Sequence, residues 1–532
     1  MVFTLQRYIF RELFRVFALA TIGLTLILSL GGILQPVQEY GVGPRQVVHI
    51  LVYFMPITLT FVLPMAALFA SALTYGRFAS DNELDACRAS GISLMTMVYP
   101  GLVLAILVAI ANLLLSFHVM PYFVHLAERS LKADAKQILF RNIQRRGFYS
   151  LPPDKRFMIY ADYVDPPKDT LAGIVIVQRK DDGTVKTIHA AESARAHFDP
   201  HDESNEVRLD AYGVRRIGEA KGNWFTIGIL QASYPFGSLL GDDIKFKRVG
   251  EMKEIRADLM KFDPIRQIAR AAFSQLATEL LAHDISGKIT TPQHDPYELR
   301  GTDRVIRFSA TSCALEEESK INLLGPMRVQ EFDAVSGEHL RTFRCDTATI
   351  HVDDNEKGPG LGLSLDTPRV EATQQRMTNY SIANLDLPKP LHQRLHVDTL
   401  LATLSPAGIN KILPGSPSSF LAKNLAVLNR KITRTRVDIK AEMNSRLVFG
   451  IGCLPMIMIG IGLGIVKRGG HLLSAFGASC IPAAVLIVAI ISGKHVTENM
   501  TAQGVSGILV MWAGLACLTI LAAVIYARLA KN

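Results

Sequence analysis

The chain has no loop of the form G-x-x-x-x-G-K-[ST], with which a protein wraps the phosphates of a nucleotide. The nearest stretch, "AHDISGKI", puts Ala282 where the first glycine belongs and Ile289 where a metal-binding hydroxyl belongs. ATP hydrolysis in cis is excluded by this route. HExxH zinc sites and GxSxG nucleophile elbows are also missing. No Ser, Cys and His residues fall at a spacing that suggests a triad, although triads can be dispersed along a chain. His and Asp meet in "HFDPHDE" and "IHVDD", a spacing common in polar loops. No catalytic residue, metal site or cofactor is assigned. Basic runs with interleaved aromatics are absent too, so the net charge of +9 does not point to nucleic acid.

Carboxylates are missing from the middle of every long apolar run, which hold only His49, Asn112 and His118 near their ends. A proton- or sodium-coupled transporter would place an ion ligand there. Anything this protein moves therefore takes its energy from another subunit.

What the chain has in abundance is apolar length, with 49% hydrophobic residues and a mean hydropathy of +0.22. Six runs are long enough to cross ~30 Å of hydrocarbon: Val16–Leu34, Val47–Tyr75, Ile92–Met120, Leu447–Val466, Leu472–Ser492 and Gln503–Tyr526. Pro56, Pro64 and Pro100 predict kinks or tilt. The first run is too long for a signal peptide and lacks its cleavage pattern. With the N-terminus inside, the inner loops and ends carry Arg7, Arg11, Arg15, Arg77, Arg88, Lys467, Arg468, Arg528 and Lys531, against only Arg45 and Lys494 in the short outer loops. That bias predicts cytosolic N- and C-termini and an outer location for the long polar stretch. The expected fold is membrane α plus β, with three helices on each side of an outer β-rich domain. Residues 1–120 form one membrane half, 121–446 the outer region with its connecting helices, and 447–532 the other half.

In the outer region "RFMIYADYV" alternates, and "AGIVIVQRKDDGTVKTIHA" reads as a hairpin turning at "DDG". Further short runs, among them "EVRLDAYGVRRI", "RVIRFSA", "MRVQEFDA" and "LRTFRCDTATIHV", predict an all-β sandwich or jelly roll. A helical insert is expected near 263–285, capped by Asp263 with Pro264 in its first turn. Polar helices should join the region to the membrane, the second carrying Arg430, Lys431, Arg434, Arg436 and Lys440. Those cations fit a solvated face or anionic headgroups equally. An oxidising compartment would permit Cys313 and Cys345 to pair, at a distance that sequence does not reveal.

Between the second and third runs lies the charged stretch "RFASDNELDACRASGIS". It predicts a short helix over 80–91, with Ser80 and Glu83 as a capping box and Gly91 as the left-handed stop. Glu83, Cys87 and Ser90 share a face, with Ala86 beside them. The face reads either as a capped turn or as a small socket offering one carboxylate to a partner's Arg.

"RYIFRELF", "ELDACRASGIS", and "EMNSRLVFGIGCLPMIMIGIGLGIVKRGG" with Glu442 and Arg446 four residues apart resemble the LptF/LptG (YjgP/YjgQ) permease family. So does "LAGIVIVQRKDDGTVKTIHAAESARA", which resembles that family's outer jelly roll. The resemblance covers both membrane halves and roughly residues 157–217. It implies a permease subunit of an inner-membrane ABC exporter, in which two permeases, the same or related chains, enclose a lipid cavity. A separate cytosolic ATPase dimer docks on the coupling helices. Lipopolysaccharide or a related lipid is extracted and passed through the periplasmic jelly rolls to a bridge protein. By position, Glu83 would face an Arg of the ATPase, with Ala86, Arg88, Ala89, Ser90 and Gly91 shaping the contact. The family's phosphate-binding basic residues near the outer end of the first span reduce here to Arg45, opposed by Glu39. The outer region is also about twice the size the resemblance implies, which leaves the role of 218–421 open. A scaffold displaying an outer binding domain, or an outer hydrolase with a dispersed site, are the alternatives in the residues themselves.

Overall fold

A computed structural model of the protein describes residues 2–40, 44–133, 135–151, 157–179, 184–198, 206–217, 224–235, 243–289, 296–316, 319–355, 358–377, 379–395, 400–466, 472–499 and 505–531. They fall into two compact units, Met1–Arg256 with Arg434–Asn532, and Ala257–Thr433.

The first unit is built on α1 (Val2–Tyr40), α2 (Pro44–Ser80), the short α3 (Glu83–Ala89), and α4 (Leu94–Leu114), which runs through a π turn (Leu115–Val119) into α5 (Met120–Ala133) and α6 (Ala135–Arg146). Six described helices are long and apolar enough to cross a membrane: Phe3–Gly32, Val47–Ser80, Leu94–Ser130, Ser419–Val466, Cys480–Thr497 and Ser506–Leu529. The helices outrun the apolar stretches because nothing breaks them where polarity begins. Ile9, Leu13 and Phe17, spaced by four, bury one face of α1 ahead of its apolar run.

The hub of the bundle is the later part of α12 (Ser419–Val466), which meets α2, α4, α13 (Leu472–Asn499) and α14 (Val505–Lys531). Its glycines make those contacts possible. A Cβ on Gly464 would stand 2.7 Å from the Ala72 carbonyl oxygen and 2.8 Å from the Gly76 nitrogen. On Gly460 it would meet Ser71 and the Leu68 carbonyl, on Gly450 Leu113, on Gly452 Leu486 and on Gly462 Ile525. All five glycines therefore serve approaches within this chain. Tyr75 closes the same region by donating to the Met97 carbonyl at 2.8 Å.

The first sheet joins β1 (Phe148–Ser150), β2 (Phe157–Asp165), β3 (Thr170–Arg179), β4 (Val185–Phe198), β5 (Glu206–Ile217) and β6 (Trp224–Pro235) in consecutive antiparallel order. The β3–β4 hairpin forms as expected, while its "DDG" tip lies outside the described residues. Alternate positions such as Ile159, Ala161, Ile174, Ile176, Ala194 and Leu209 form one apolar face, which packs against Ile138, Leu139, Phe140 and Ile143 of α6. The helix α7 (Val249–Ala257) follows the sheet.

In the second unit α8 (Asp263–Ile289) is the expected helical insert, and every residue from Ala272 to Ala282 is buried. Two of its buried side chains accept from the backbone: Gln275 from the Ser319 N–H at 2.9 Å, and Glu279 from the Ser418 N–H at 3.1 Å. The strands β7 (Tyr297–Gly301), β8 (Arg304–Ser309), β9 (Ser312–Glu316), β10 (Lys320–Asp333), β11 (His339–Asn355), β12 (Gly358–Asp366), β13 (Arg369–Val370) and β14 (Asn379–Asp386) form one sheet. Pairings β7–β8, β8–β10, β10–β11, β11–β12, β12–β14 and β14–β7 close a ring. The short helices α9 (Lys389–Arg394), α10 (Leu400–Thr403) and α11 (Pro406–Ile412) come after it. The strand order departs from the expected jelly roll. Near neighbours in sequence pair in both sheets, an up-and-down path rather than the crossed one of two interleaved Greek keys.

Cys313 and Cys345 are free thiols. Cys313 lies on β9 opposite Leu323, and Cys345 on β11 opposite Met327, so β10 stands between them. Two strand spacings, about 9.6 Å, exceed the reach of a disulfide. Burial pushes the Cys345 thiol up to about 11.

Gly464→Ala should lower the thermal unfolding midpoint in detergent, by the equivalent of about 1–3 kcal/mol, because backbone atoms cannot give way to the methyl group. Gly477→Ala, with nothing within 4 Å of its Cβ, should be neutral or slightly stabilising. Equal midpoints for the two variants would contradict the tight helix crossing.

Candidate coupling helix and buried charge cluster

The helix α3 is anchored by its apolar side and offers its polar side to solvent. Leu84 is buried in the cluster formed by Ile9, Leu13, Phe78 and Met97, with Cys87 and Ile92 packed partly against it. Glu83, Ala86, Arg88, Ala89, Ser90 and Gly91 are all exposed. The structure thus leaves each of the expected contact residues exposed, with Glu83, Ala86 and Ser90 on one face of the helix, while Cys87 turns inward. No ion pair of Glu83 occurs among the described residues.

The expected Ser80–Glu83 capping box does not form. Ser80 is the last residue of α2, and its hydroxyl donates to the Arg77 carbonyl at 3.1 Å. The N-cap position belongs to Asn82, at φ 58°, without a side-chain cap. That left-handed residue makes the corner, holding Ser80 inside the preceding helix and away from the first N–H groups of α3. The other end follows expectation. Gly91 is left-handed at φ +82°, the Ser90 N–H reaches the Ala86 carbonyl, and the Gly91 N–H reaches that of Arg88. Arg77 at the end of α2 pairs with Glu12 of α1 at 2.9 Å, tying the motif "RYIFRELF" to the approach to α3.

The motif around Glu442 and Arg446 builds a second site. Arg446 Nε donates to Glu442 Oε1 at 2.9 Å, and Lys494 Nζ of α13 donates to Glu442 Oε2 at 2.6 Å. Arg446 Nη2 donates to the Lys245 and Lys247 carbonyls at 2.8 and 3.2 Å, clasping the 3-10 turn Ile244–Phe246. The Arg446 side chain is 3% exposed, Glu442 11% and Lys494 35%. Two cations face one carboxylate, and Arg446 Nη1 is buried without a partner among the described residues. A buried guanidinium with a spare N–H is costly unless something occupies it. Arg446 lies 18 residues before Gly464 on α12, a separation of about 27 Å.

Sequence reading noticed the Glu442–Arg446 spacing as a motif and missed Lys494 as its third member. A lysine one helix away has no sequence signal except its place in an otherwise apolar stretch. Arg45 and Glu39 lie outside the described residues at the level of side chains, as do Asp199–Glu203 and the side chains of Asp353 and Asp354. Among the described residues no cluster of His, Cys, Asp and Glu could hold a metal.

Arg446→Ala should cost about 3 kcal/mol or more in unfolding free energy, because Glu442 keeps its burial and loses its main partner. Lys494→Ala, at the rim, should cost less than about 1 kcal/mol. Chemical denaturation in mild detergent separates the two, and equal costs would mean that Arg446 is solvated.

No individual curated protein matches the sequence. The family described as Lipopolysaccharide export system permease LptF/LptG matches residues 7–253, a stretch that begins inside α1, ends inside α7, and holds α2 to α6 and the first sheet. Together with six helices long and apolar enough to cross a membrane, the match supports a multi-pass inner-membrane protein whose residues 7–253 are similar to the LptF/LptG permease family.

Proposed function

We propose that this chain is the permease subunit of an ATP-driven exporter that extracts lipopolysaccharide or a related lipid from the inner membrane and passes it to a periplasmic bridge. Three spans precede and three follow the β-rich region, with both termini cytosolic and both sheets periplasmic. The nucleotide site belongs to a separate ATPase dimer, and a second permease, the same or a related chain, completes the lipid cavity. One observation carries the reading: within the family-matched stretch, α3 is nailed to the bundle by Leu84 while Glu83, Ala86 and Ser90 face outward. A helix of seven residues with an unpaired acid suits a rigid contact for an arginine-bearing partner. Ala86 and Gly91 leave room for a protruding element, and Arg88, Ala89 and Ser90 border it.

The cluster of Arg446 and Lys494 supports the same reading from the other end of the bundle. Relatives place basic residues near the outer end of the first span. Here the surplus positive charge and the spare guanidinium N–H lie between α12 and α13, where a lipid phosphate would complete them.

Affinity purification from mild detergent, with co-purifying proteins identified by mass spectrometry, tests the coupling. Wild type should bring down an ATPase, and Glu83→Arg should lose it while keeping the wild-type unfolding midpoint, since Glu83 supports no packing. An ATPase retained by the variant, or absent from both samples, would overturn the proposal.

A further inference from the structure

The second unit carries a row of arginines that its own fold does not need. In the register of β10, β11 and β13, Arg328 stands directly opposite Arg344, and Arg344 opposite Arg369. Arg369 in turn bridges to Arg376. Residues paired in this way project to the same face of a sheet, so four guanidiniums share one line on the outer surface. At about 5 Å per step the line is about 15 Å long. All four residues are exposed, the side chains of Arg328 and Arg344 by 56% and 67%. One carboxylate serves the row: Glu371 accepts from Arg328 Nη2 at 2.9 Å and from Arg344 Nη2 at 2.5 Å. Asp346, two residues along β11 from Arg344, is the next acid in that strand. Like charges directly opposite one another destabilise a sheet, and here the pairing is repeated three times, with Glu371 as the ion-paired acid among the described residues.

The fold offers a contrast. At Glu331, buried completely, two arginines converge on one carboxylate, Arg304 at 2.5 Å and Arg341 at 3.0 Å, with Tyr380 at 3.3 Å. That arrangement compensates a buried acid. The exposed row has Glu371 as its paired carboxylate among the described residues, and its remaining positive charge is available to a ligand.

We propose that Arg328, Arg344, Arg369 and Arg376 form a receptor for the phosphorylated saccharide of a lipid cargo, a proposal that rests on the export reading. Guanidinium forks match phosphate oxygens two at a time, and a row of this length accommodates more than one phosphate. Ser309, opposite Arg328 on β8, and Gln330, two residues along β10, border the row with groups that hydrogen-bond sugar hydroxyls. The row itself contains no aromatic side chain on which a nucleic-acid base would stack.

The test uses the full chain in detergent, with Arg344→Gln, Arg369→Gln and Arg376→Gln combined so that the Arg328–Glu371 pair stays. The probes are a bis-phosphorylated glucosamine-disaccharide lipid, the same lipid after enzymatic removal of its phosphates, and phosphatidylglycerol, which has a phosphate and no saccharide. The variant should bind the phosphorylated glycolipid about tenfold more weakly and the dephosphorylated one as wild type does. Its unfolding midpoint should be unchanged or higher, because like-charge pairs have been removed. Equal affinities of wild type and variant for the phosphorylated glycolipid, or no binding by either, would overturn the proposal. A loss of phosphatidylglycerol binding as large as that of the glycolipid would do the same, showing a surface for anionic membranes instead. Glu83→Arg measured in parallel keeps the two ideas apart. If it loses the ATPase while the arginine variant binds normally, only the receptor fails. If it retains the ATPase while the arginine variant is impaired, only the coupling reading fails.

Discussion

The membrane part of this protein depends on the closeness with which α12 passes its neighbours. At Gly464 the backbone of α2 lies where a methyl group would have to be, and at Gly460 the same helix closes in again one turn away. Apolar burial gives little discrimination between helices in hydrocarbon, because lipid tails are as apolar as leucine. Packing distance and hydrogen bonds have to do that work. The chain meets the demand with glycines in its fourth candidate span, and with Tyr75 reaching across to the Met97 carbonyl. The end of α2, fixed in this way, is the platform on which Asn82 turns the chain into α3.

That platform explains why so short a helix can present a surface. Seven residues are too few to hold a helix by propensity alone. The fold supplies the missing stability through Leu84, buried at 6% exposure, and through the left-handed residues at both ends, Asn82 and Gly91. The sequence showed the second stop and misread the first. "SxxE" has the letters of a capping box, but whether Ser80 caps α3 or ends α2 depends on where α2 stops. Nothing local marks that point, since "LTYGRFAS" carries the helix on through Gly76 to Ser80.

The spans were legible because a run of some twenty apolar residues has few alternative fates, and the strands because alternation is a local signal. Connectivity was less so. Short strands with polar breaks are shared by jelly rolls, sandwiches and up-and-down sheets, and only long-range register separates them. The closing pair β14–β7, which joins Leu385 to Gly301, spans more than eighty residues that no local pattern connects. The same limit hid Lys494 from Glu442 and lined up Arg328, Arg344, Arg369 and Arg376 out of sight, since their shared line exists only once β10, β11 and β13 are in register.

The charges divide by what their removal would cost. Glu442 and Arg446 are buried, and each holds the other in place, so the fold cannot spare either one. Glu331 is in the same position between Arg304 and Arg341. Glu83 and the arginine row are exposed and lightly paired, or paired at a loss, so the fold is nearly indifferent to them. A chain under selection for stability alone would let such residues drift to cheaper ones. Their presence at a corner fixed by Leu84 on one side, and in a strict cross-strand line on the other, is what the two proposals rest on: one carboxylate offered to a cationic partner and four guanidiniums offered to an anionic one.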